Sequence, residues 1–216
     1  MRVGIFGGTF DPPHVGHLIL AAEARDQLQL DYLLWVLTPD PPHKRGQVIR
    51  PVEQRLALVQ AAVGADAGFI LSRVEIDRPG PHYTVETVRL VAQAYPGAEV
   101  YFIMGGDALF DLPDWHTPVE FVRACAGLGV MRRPGDALDL PALEKIVPGV
   151  SARVRFIEAP LLEVSSRQIR QRIASGRHYR YFLPPAVYAL VEQNAWYRSD
   201  ERSPDDEDLS LTTADR

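Results

Sequence analysis

Met1-Arg2-Val3-Gly4-Ile5-Phe6 runs straight into Gly7-Gly8-Thr9-Phe10-Asp11-Pro12-Pro13-His14-Val15-Gly16-His17, and these residues set the reading of the whole chain. Arg2 to Phe6 is β-rich and mostly apolar, as a strand buried on both faces of a parallel sheet should be. Gly7 and Gly8 lack a Cβ, which lets the backbone turn sharply and lets a phosphate approach main-chain N–H groups. A segment of helical period then opens. His14 and His17, three apart, share a face of its first turn beside the positive helix end, where two imidazoles can donate to triphosphate oxygens. The Gly-Lys-Ser/Thr ending of a Walker loop and the GxGxxG dinucleotide spacing are both missing. Taken alone, a His pair at this spacing is more often incidental surface or a satisfied polar pair than a site. A zinc site ranks low, because His43, His82, His116 and His178 are scattered and no third ligand is placed by a motif.

Outward from this stretch, short apolar runs alternate with helical ones. Further strands are expected at Tyr32 to Leu37, Phe69 to Ile76, Glu99 to Met104, Gly127 to Met131 and Val154 to Ile157. Three intervening helices show apolar stripes: Val15, Leu18, Ile19 and Ala22; Val52, Leu56, Val59 and Val63; Val85, Val88, Ala92 and Tyr95. This alternation predicts an α/β fold, a Rossmann-like, doubly wound parallel sheet with right-handed crossovers. Ligands of such sheets sit beyond the carboxyl ends of the strands. The loops there are Gly7 to His17, Thr38 to Arg50, Gly105 to Trp115 and Arg132 to Gly135. Pro184 and Pro185 open a C-terminal helical segment to about Asn194, with Val187, Leu190 and Val191 as its apolar face.

Length and charge narrow the class. A chain of 216 residues, 46% hydrophobic, can bury one core, so a single domain over residues 1–198 is expected. The remainder, 199–216, carries seven acidic residues against Arg202 and Arg216, which accounts for the whole formal charge of -5. It is expected to be an acidic, disordered tail. The neutral body argues against a nucleic-acid surface. Lys44 and Lys145 are the only lysines among 23 basic residues, and arginine suits bidentate phosphate contacts, although a GC-rich genome explains the bias equally well. Glycines and prolines break the first segment, so no export leader is expected. No apolar run suits a membrane helix, and Cys125 is the single cysteine, which together imply a cytoplasmic protein with no membrane partner. Association into a homo-oligomer stays open.

GGTFDPPHVGH is similar to the GxFDPxHxGH signature of the HxGH nucleotidyltransferase superfamily, and Ser165-Ser166-Arg167-Gln168-Ile169-Arg170 resembles that superfamily's late Ser-Ser-x-x-x-Arg element. Pro41-Pro42-His43-Lys44, Tyr83-Thr84, and Gly105-Gly106-Asp107 followed by Trp115 further resemble the bacterial nicotinate mononucleotide adenylyltransferase family, over Met1 to about Arg198. That resemblance implies a transferase that joins ATP to nicotinate mononucleotide, releasing pyrophosphate, with Mg2+ accompanying ATP. It implies ATP contacts from Gly7, Gly8, Thr9, Phe10, His14, His17, Gly105, Asp107, Ser165, Ser166 and Arg170. It also implies mononucleotide contacts from Lys44, Arg55, Thr84, Asp107, Trp115, His116 and Arg133, with Trp115 stacking on the pyridine. His14, His17, Lys44 and Arg170 carry the catalytic expectation, and no protein-held metal is expected.

Each of these residues has a plainer reading: Trp115 as core, Thr84 as a helix cap, Asp107 as a cap after a strand, Lys44 as a solvated loop charge. Arg167, Val164 and His116 depart from the family's commonest residues. Backbone N–H groups near His116, or Arg132 or Arg133, are candidates for choosing carboxylate over amide. The rivals are a sibling enzyme using nicotinamide mononucleotide or phosphopantetheine, and a non-catalytic nucleotide sensor.

Overall fold

The computed structural model describes residues 1–40, 49–64, 66–131, 139–160 and 162–198. Within them, six strands form one all-parallel sheet: β1 (Arg2–Gly8), β2 (Tyr32–Leu37), β3 (Phe69–Ser72), β4 (Glu99–Gly105), β5 (Gly127–Met131) and β6 (Val154–Ile157). Their order is β3-β2-β1-β4-β5-β6, so the chain reverses direction of growth between β1 and β4. That is the switch point at which doubly wound sheets open a crevice. The expected α/β class holds.

The alternation of side chains along the strands explains why helices cover both faces. Val3 and Ile5 of β1, Leu34 and Val36 of β2, and Val100, Phe102 and Met104 of β4 share one apolar cluster. Packed against them are α3 (Thr84–Ala94), α5 (Pro118–Ala124), α6 (Leu140–Ile146) and α7 (Val150–Arg153). Phe6, Leu33, Trp35, Leu37 and Ile103 belong to the other face, against α1 (Val15–Gln27) and α2 (Val52–Val63). A third cluster joins the far side of α2, through Leu58 and Ala62, to α8 (Ser166–Ala174) and α9 (Pro185–Gln193). The C-terminal helical segment therefore packs on α2 and not on the sheet.

Several sequence expectations need correction. The strand expected over Phe69 to Ile76 stops at Ser72. Asp77 N–H donates to the Arg73 carbonyl at 2.9 Å and the two side chains pair at 2.8 Å, so the chain closes a turn there. The buried face of α1 is Leu20, Ala21 and Ala24, with Ala22 exposed, because the helix is anchored with His17 beside the Phe6 and Phe10 rings. In α3 the buried position is Val91 and not Ala92, while Val85, Val88 and the half-buried Tyr95 hold their places. In α2 the expected stripe does face the sheet, and a second apolar face faces the C-terminal helices. Residues 199–216, expected as a tail, lie outside the described residues.

Candidate active site

The first loop is built by the residue after the glycines. Gly7 and Gly8 are still strand, paired with Val36 and Leu37, and the sharp turn comes at Phe10, whose φ is 49°. A non-glycine residue in the left-handed region is uncommon and persists only where its surroundings demand it. The Phe10 ring sits between Phe6, Trp35 and His17 at centroid distances of 5.5, 5.1 and 5.2 Å. Gly8 is required by that ring, since a Cβ there would lie 2.8 Å from Phe10 Cζ. Gly8 thus admits the aromatic plug at the turn.

His14 is the N-cap of α1 and is buried. The two imidazoles stack at 3.7 Å with 30° between planes. Gly16 makes room for this: a Cβ would stand 3.1 Å from His14 Nδ1. The His14 backbone N–H donates to His17 Nδ1 at 3.1 Å. An accepting Nδ1 places the proton of the neutral His17 ring on Nε2, so the ring presents a donor without needing to be charged. The first turn of α1 contains no acidic residue to offset the helix's positive end.

A second helix start docks against the first. Ser165 caps α8, its Oγ accepting from Gln168 N–H at 3.2 Å, while Gln168 Oε1 accepts from Ser165 N–H. Ser166 Oγ donates to the Pro12 carbonyl at 2.8 Å, and Arg170 Nη1 donates to the Asp11 carbonyl at 2.7 Å. The first turn of α8 also lacks an acidic residue. Two helix N-termini, a His donor and an arginine therefore meet at one loop, a setting that favours an anion rich in oxygen.

Across the switch point, Gly105 ends β4 and caps the short helix α4 (Gly106–Phe110). Asp107 is exposed there, its Oδ1 accepting from Ala108 N–H at 3.0 Å. Trp115 is half-buried and packs on Phe102 and Phe121 at 6.1 and 5.2 Å, so its plainer reading as part of the core is in part what it does. A Cβ on Gly7 would lie 3.7 Å from Phe102 Cζ, so one phenyl ring separates the glycine strand end from Trp115. Thr84 opens α3 just after its N-cap Tyr83, whose ring stacks on His116 at 3.8 Å and 17°. The sequence reading quoted Tyr83 only as the neighbour of Thr84 and gave it no role.

Arg55 is the clear correction. Expected at a phosphate, it is only 1% exposed, and its guanidinium donates to the carbonyls of Arg50, Thr9, Thr38 and Pro39 at 2.7, 3.1, 2.9 and 2.7 Å. It ties the loops after β1 and β2 to the start of α2 from beneath. Burial lowers its pKa, opposed by the nearby Asp11 carboxylate. Lys44, Arg132 and Arg133 lie outside the described residues. Sequence reasoning quoted Asp11 in the first motif without a role and missed Tyr197: the Tyr197 hydroxyl donates to Asp11 Oδ1 at 2.6 Å. Burial, then Asp11, raises the Tyr197 pKa well above its ordinary value, which keeps it a donor.

Comparisons with known proteins give the family and the fold. The cytidylyltransferase-like family pattern matches residues 5–172, from β1 into α8. The chain is 42% identical over 200 residues to a probable nicotinate-nucleotide adenylyltransferase of Thermomicrobium roseum, covering 93% of each chain. It is 44% identical over 197 residues to a protein of that same description from Roseiflexus sp., covering 91% of this chain and 98% of the relative. A Plasmodium falciparum nicotinic acid mononucleotide adenylyltransferase, solved in complex with NaAD, shares the fold with a TM-score of 0.73 at 16% identity, over 93% of this chain and 98% of its own. By sequence, length and architecture together, the chain belongs to the cytidylyltransferase-like family and, within it, to the nicotinate-nucleotide adenylyltransferases.

Proposed function

We propose that the chain transfers the adenylyl group of ATP to nicotinate mononucleotide, forming nicotinate adenine dinucleotide and pyrophosphate. One observation carries the reading: the acid-free N-termini of α1 and α8 meet at the loop that holds His14 and His17. The 5′-phosphate oxygen of the mononucleotide attacks the α-phosphorus of ATP. A new P–O bond forms, the bond to the β-phosphate bridging oxygen breaks, and pyrophosphate leaves with that electron pair. The nucleophile is an anion at neutral pH, since a phosphate monoester has its second pKa near ~6, so no general base is needed. Catalysis reduces to alignment and charge stabilisation.

His17 Nε2–H and His14 hold oxygens of the α- and β-phosphates, while Arg170 and Lys44 meet the charge that grows on the leaving group. Gly7, Gly8, Thr9 and Phe10 shape the phosphate side, with Ser165 and Ser166 at the start of α8. Thr84, Trp115 and His116 form the mononucleotide side, to which the family resemblance adds Arg133 as a contact, and Gly105 and Asp107 stand between. The described residues contain no cluster of three or more His, Cys, Asp or Glu able to cage a metal. Mg2+ would arrive on the triphosphate with its waters and would neutralise phosphate charge there. No described helix is long and apolar enough to cross a membrane. We place the enzyme in the cytoplasm, in keeping with its buried free thiol, as one folding unit over residues 1–198.

The test is pyrophosphate release from ATP and magnesium with nicotinate mononucleotide, nicotinamide mononucleotide or phosphopantetheine in parallel. Release is expected to be strongest with nicotinate mononucleotide. Preference for either other acceptor moves the assignment to a sibling reaction, and ATP binding without release under any acceptor moves it to a sensor.

A further inference from the structure

Asp11 is the residue of the first loop on which most of the surrounding chain converges. It is 4% exposed. Its carbonyl takes Arg170 Nη1, its Oδ2 takes the Arg50 backbone N–H at 3.3 Å, and its Oδ1 takes the Tyr197 hydroxyl at 2.6 Å. Arg50 closes the circuit. Its carbonyl accepts from Arg55 Nε, and its guanidinium carbon lies 4.3 Å from the centre of the Tyr197 ring and 5.2 Å from that of Trp196.

The backbone that delivers Tyr197 is held in an unusual shape. Ala195 and Tyr197 both have positive φ, 53° and 67°, in a segment without glycine. Ala195 is the left-handed residue of the turn that ends α9, its N–H donating to the Glu192 carbonyl at 3.2 Å and the Trp196 N–H to the Val191 carbonyl at 3.1 Å, whereas Tyr197, one residue past that turn, is kept left-handed by its tertiary contacts. Tyr197 is 6% exposed and packs with Ile169 and Ile173 of α8 and Leu58 of α2, the helices that also carry Arg170 and Arg55.

From this convergence we propose that Tyr197 is a positioning residue for the triphosphate subsite: its hydroxyl fixes Asp11 and thereby the Thr9–Pro13 loop that sets the His14–His17 turn. The inference rests on reading that turn as the ATP phosphate site. Tyr197 touches no reacting atom. It acts by holding the loop at the spacing from Arg170 that in-line attack requires.

The decisive variant is Tyr197→Phe in the full chain, which keeps the ring, its burial and the Arg50 contact and removes the hydroxyl alone. Val187→Ala, in the same apolar cluster but with no polar group to bond Asp11, controls for stability. At a temperature well below both melting points, Tyr197→Phe is expected to lower kcat/KM for ATP by about tenfold or more, with the KM for the mononucleotide held within about twofold. Val187→Ala is expected to lower the melting temperature and leave both constants unchanged. An Asp11→Ala variant should already have most of the loss, so that adding Tyr197→Phe changes little more. Tyr197→Phe kinetics matching wild type, or a loss reproduced by Val187→Ala, would overturn the proposal. If the wild-type protein turns over none of the acceptors, the substrate reading falls by itself. Calorimetric affinity for a non-hydrolysable ATP analogue then decides the positioning role, weakening in Tyr197→Phe supporting it and equality overturning it.

Discussion

The His17 tautomer is set by one backbone amide, and this makes the residue's role measurable. With Nδ1 accepting from His14 N–H, the neutral ring carries its proton on Nε2, which makes that nitrogen a donor. Replacing His17 by Ala removes that donor and is expected to lower kcat about 10²-fold with a modest change in ATP KM, checked by steady-state pyrophosphate release. An unchanged kcat would remove His17 from the mechanism. Trp115 divides its faces between the core rings and the half-exposed side. Trp115→Ala should raise the KM for the mononucleotide more than that for ATP, and equal rises would count against ring stacking. Singly, these residues are ordinary; the sequence pointed to them because glycine, proline and histidine occur at fixed offsets. Arg55 shows the limit of that signal. An arginine after a loop reads as a phosphate ligand or as a buried clamp with equal ease, and only the four carbonyls around it decide.

At the scale of elements, the strands were the most legible part, since β-rich apolar runs bounded by glycine, proline or polar residues mark buried parallel strands directly. Helix faces were less so. In α1 the stripe was misplaced because Leu18, Ile19, Leu20, Ala21 and Ala22 are all apolar, and periodicity cannot choose a face from an unbroken run. The contact of His17 with Phe6 and Phe10 chooses it. In α2 the second apolar face was visible as Leu58 and Ala62, but nothing local says that another helix waits there. That helix pair supports a prediction of its own. Leu58 is fully buried between α2 and the C-terminal cluster, so Leu58→Ala should cost about 2–5 kcal/mol, read from denaturant midpoints. A loss under about 1 kcal/mol would mean that the C-terminal helices are loosely docked.

For the molecule as a whole, the sheet separates the chemistry from the bulk of the packing, and its groups report on different conditions. Cys125, in the core cluster under α5, is such a reporter. Burial pushes its thiol up to about 12, from an ordinary 9.0. A raised folded pKa means that its contribution to stability is complete below pH 9.0 and is lost as pH climbs towards about 12, because the unfolded chain releases the proton first. The melting temperature should therefore fall across that window, and Cys125→Ala should flatten the fall; an identical slope in the variant would assign it to other groups. The same thiol should resist alkylation at neutral pH until the domain opens. The alternation of elements led to the expectation of a site beyond the carboxyl ends of the strands, whereas the docking of the start of α8 on the first loop had no signal in the sequence.

The contact between Tyr197 and Asp11 spans 186 positions, from the edge of the first motif to the last turn before Arg198. During synthesis the first loop leaves the ribosome long before its partner exists. A nascent chain can pair β1 with β2 and cover one face early, yet its catalytic loop waits for the closing residues. Closing so large a loop is entropically costly and comes late unless other contacts have already brought its ends together. With Tyr197 in the positioning role proposed above, adenylyl transfer waits until the chain has been made and folded through residue 197.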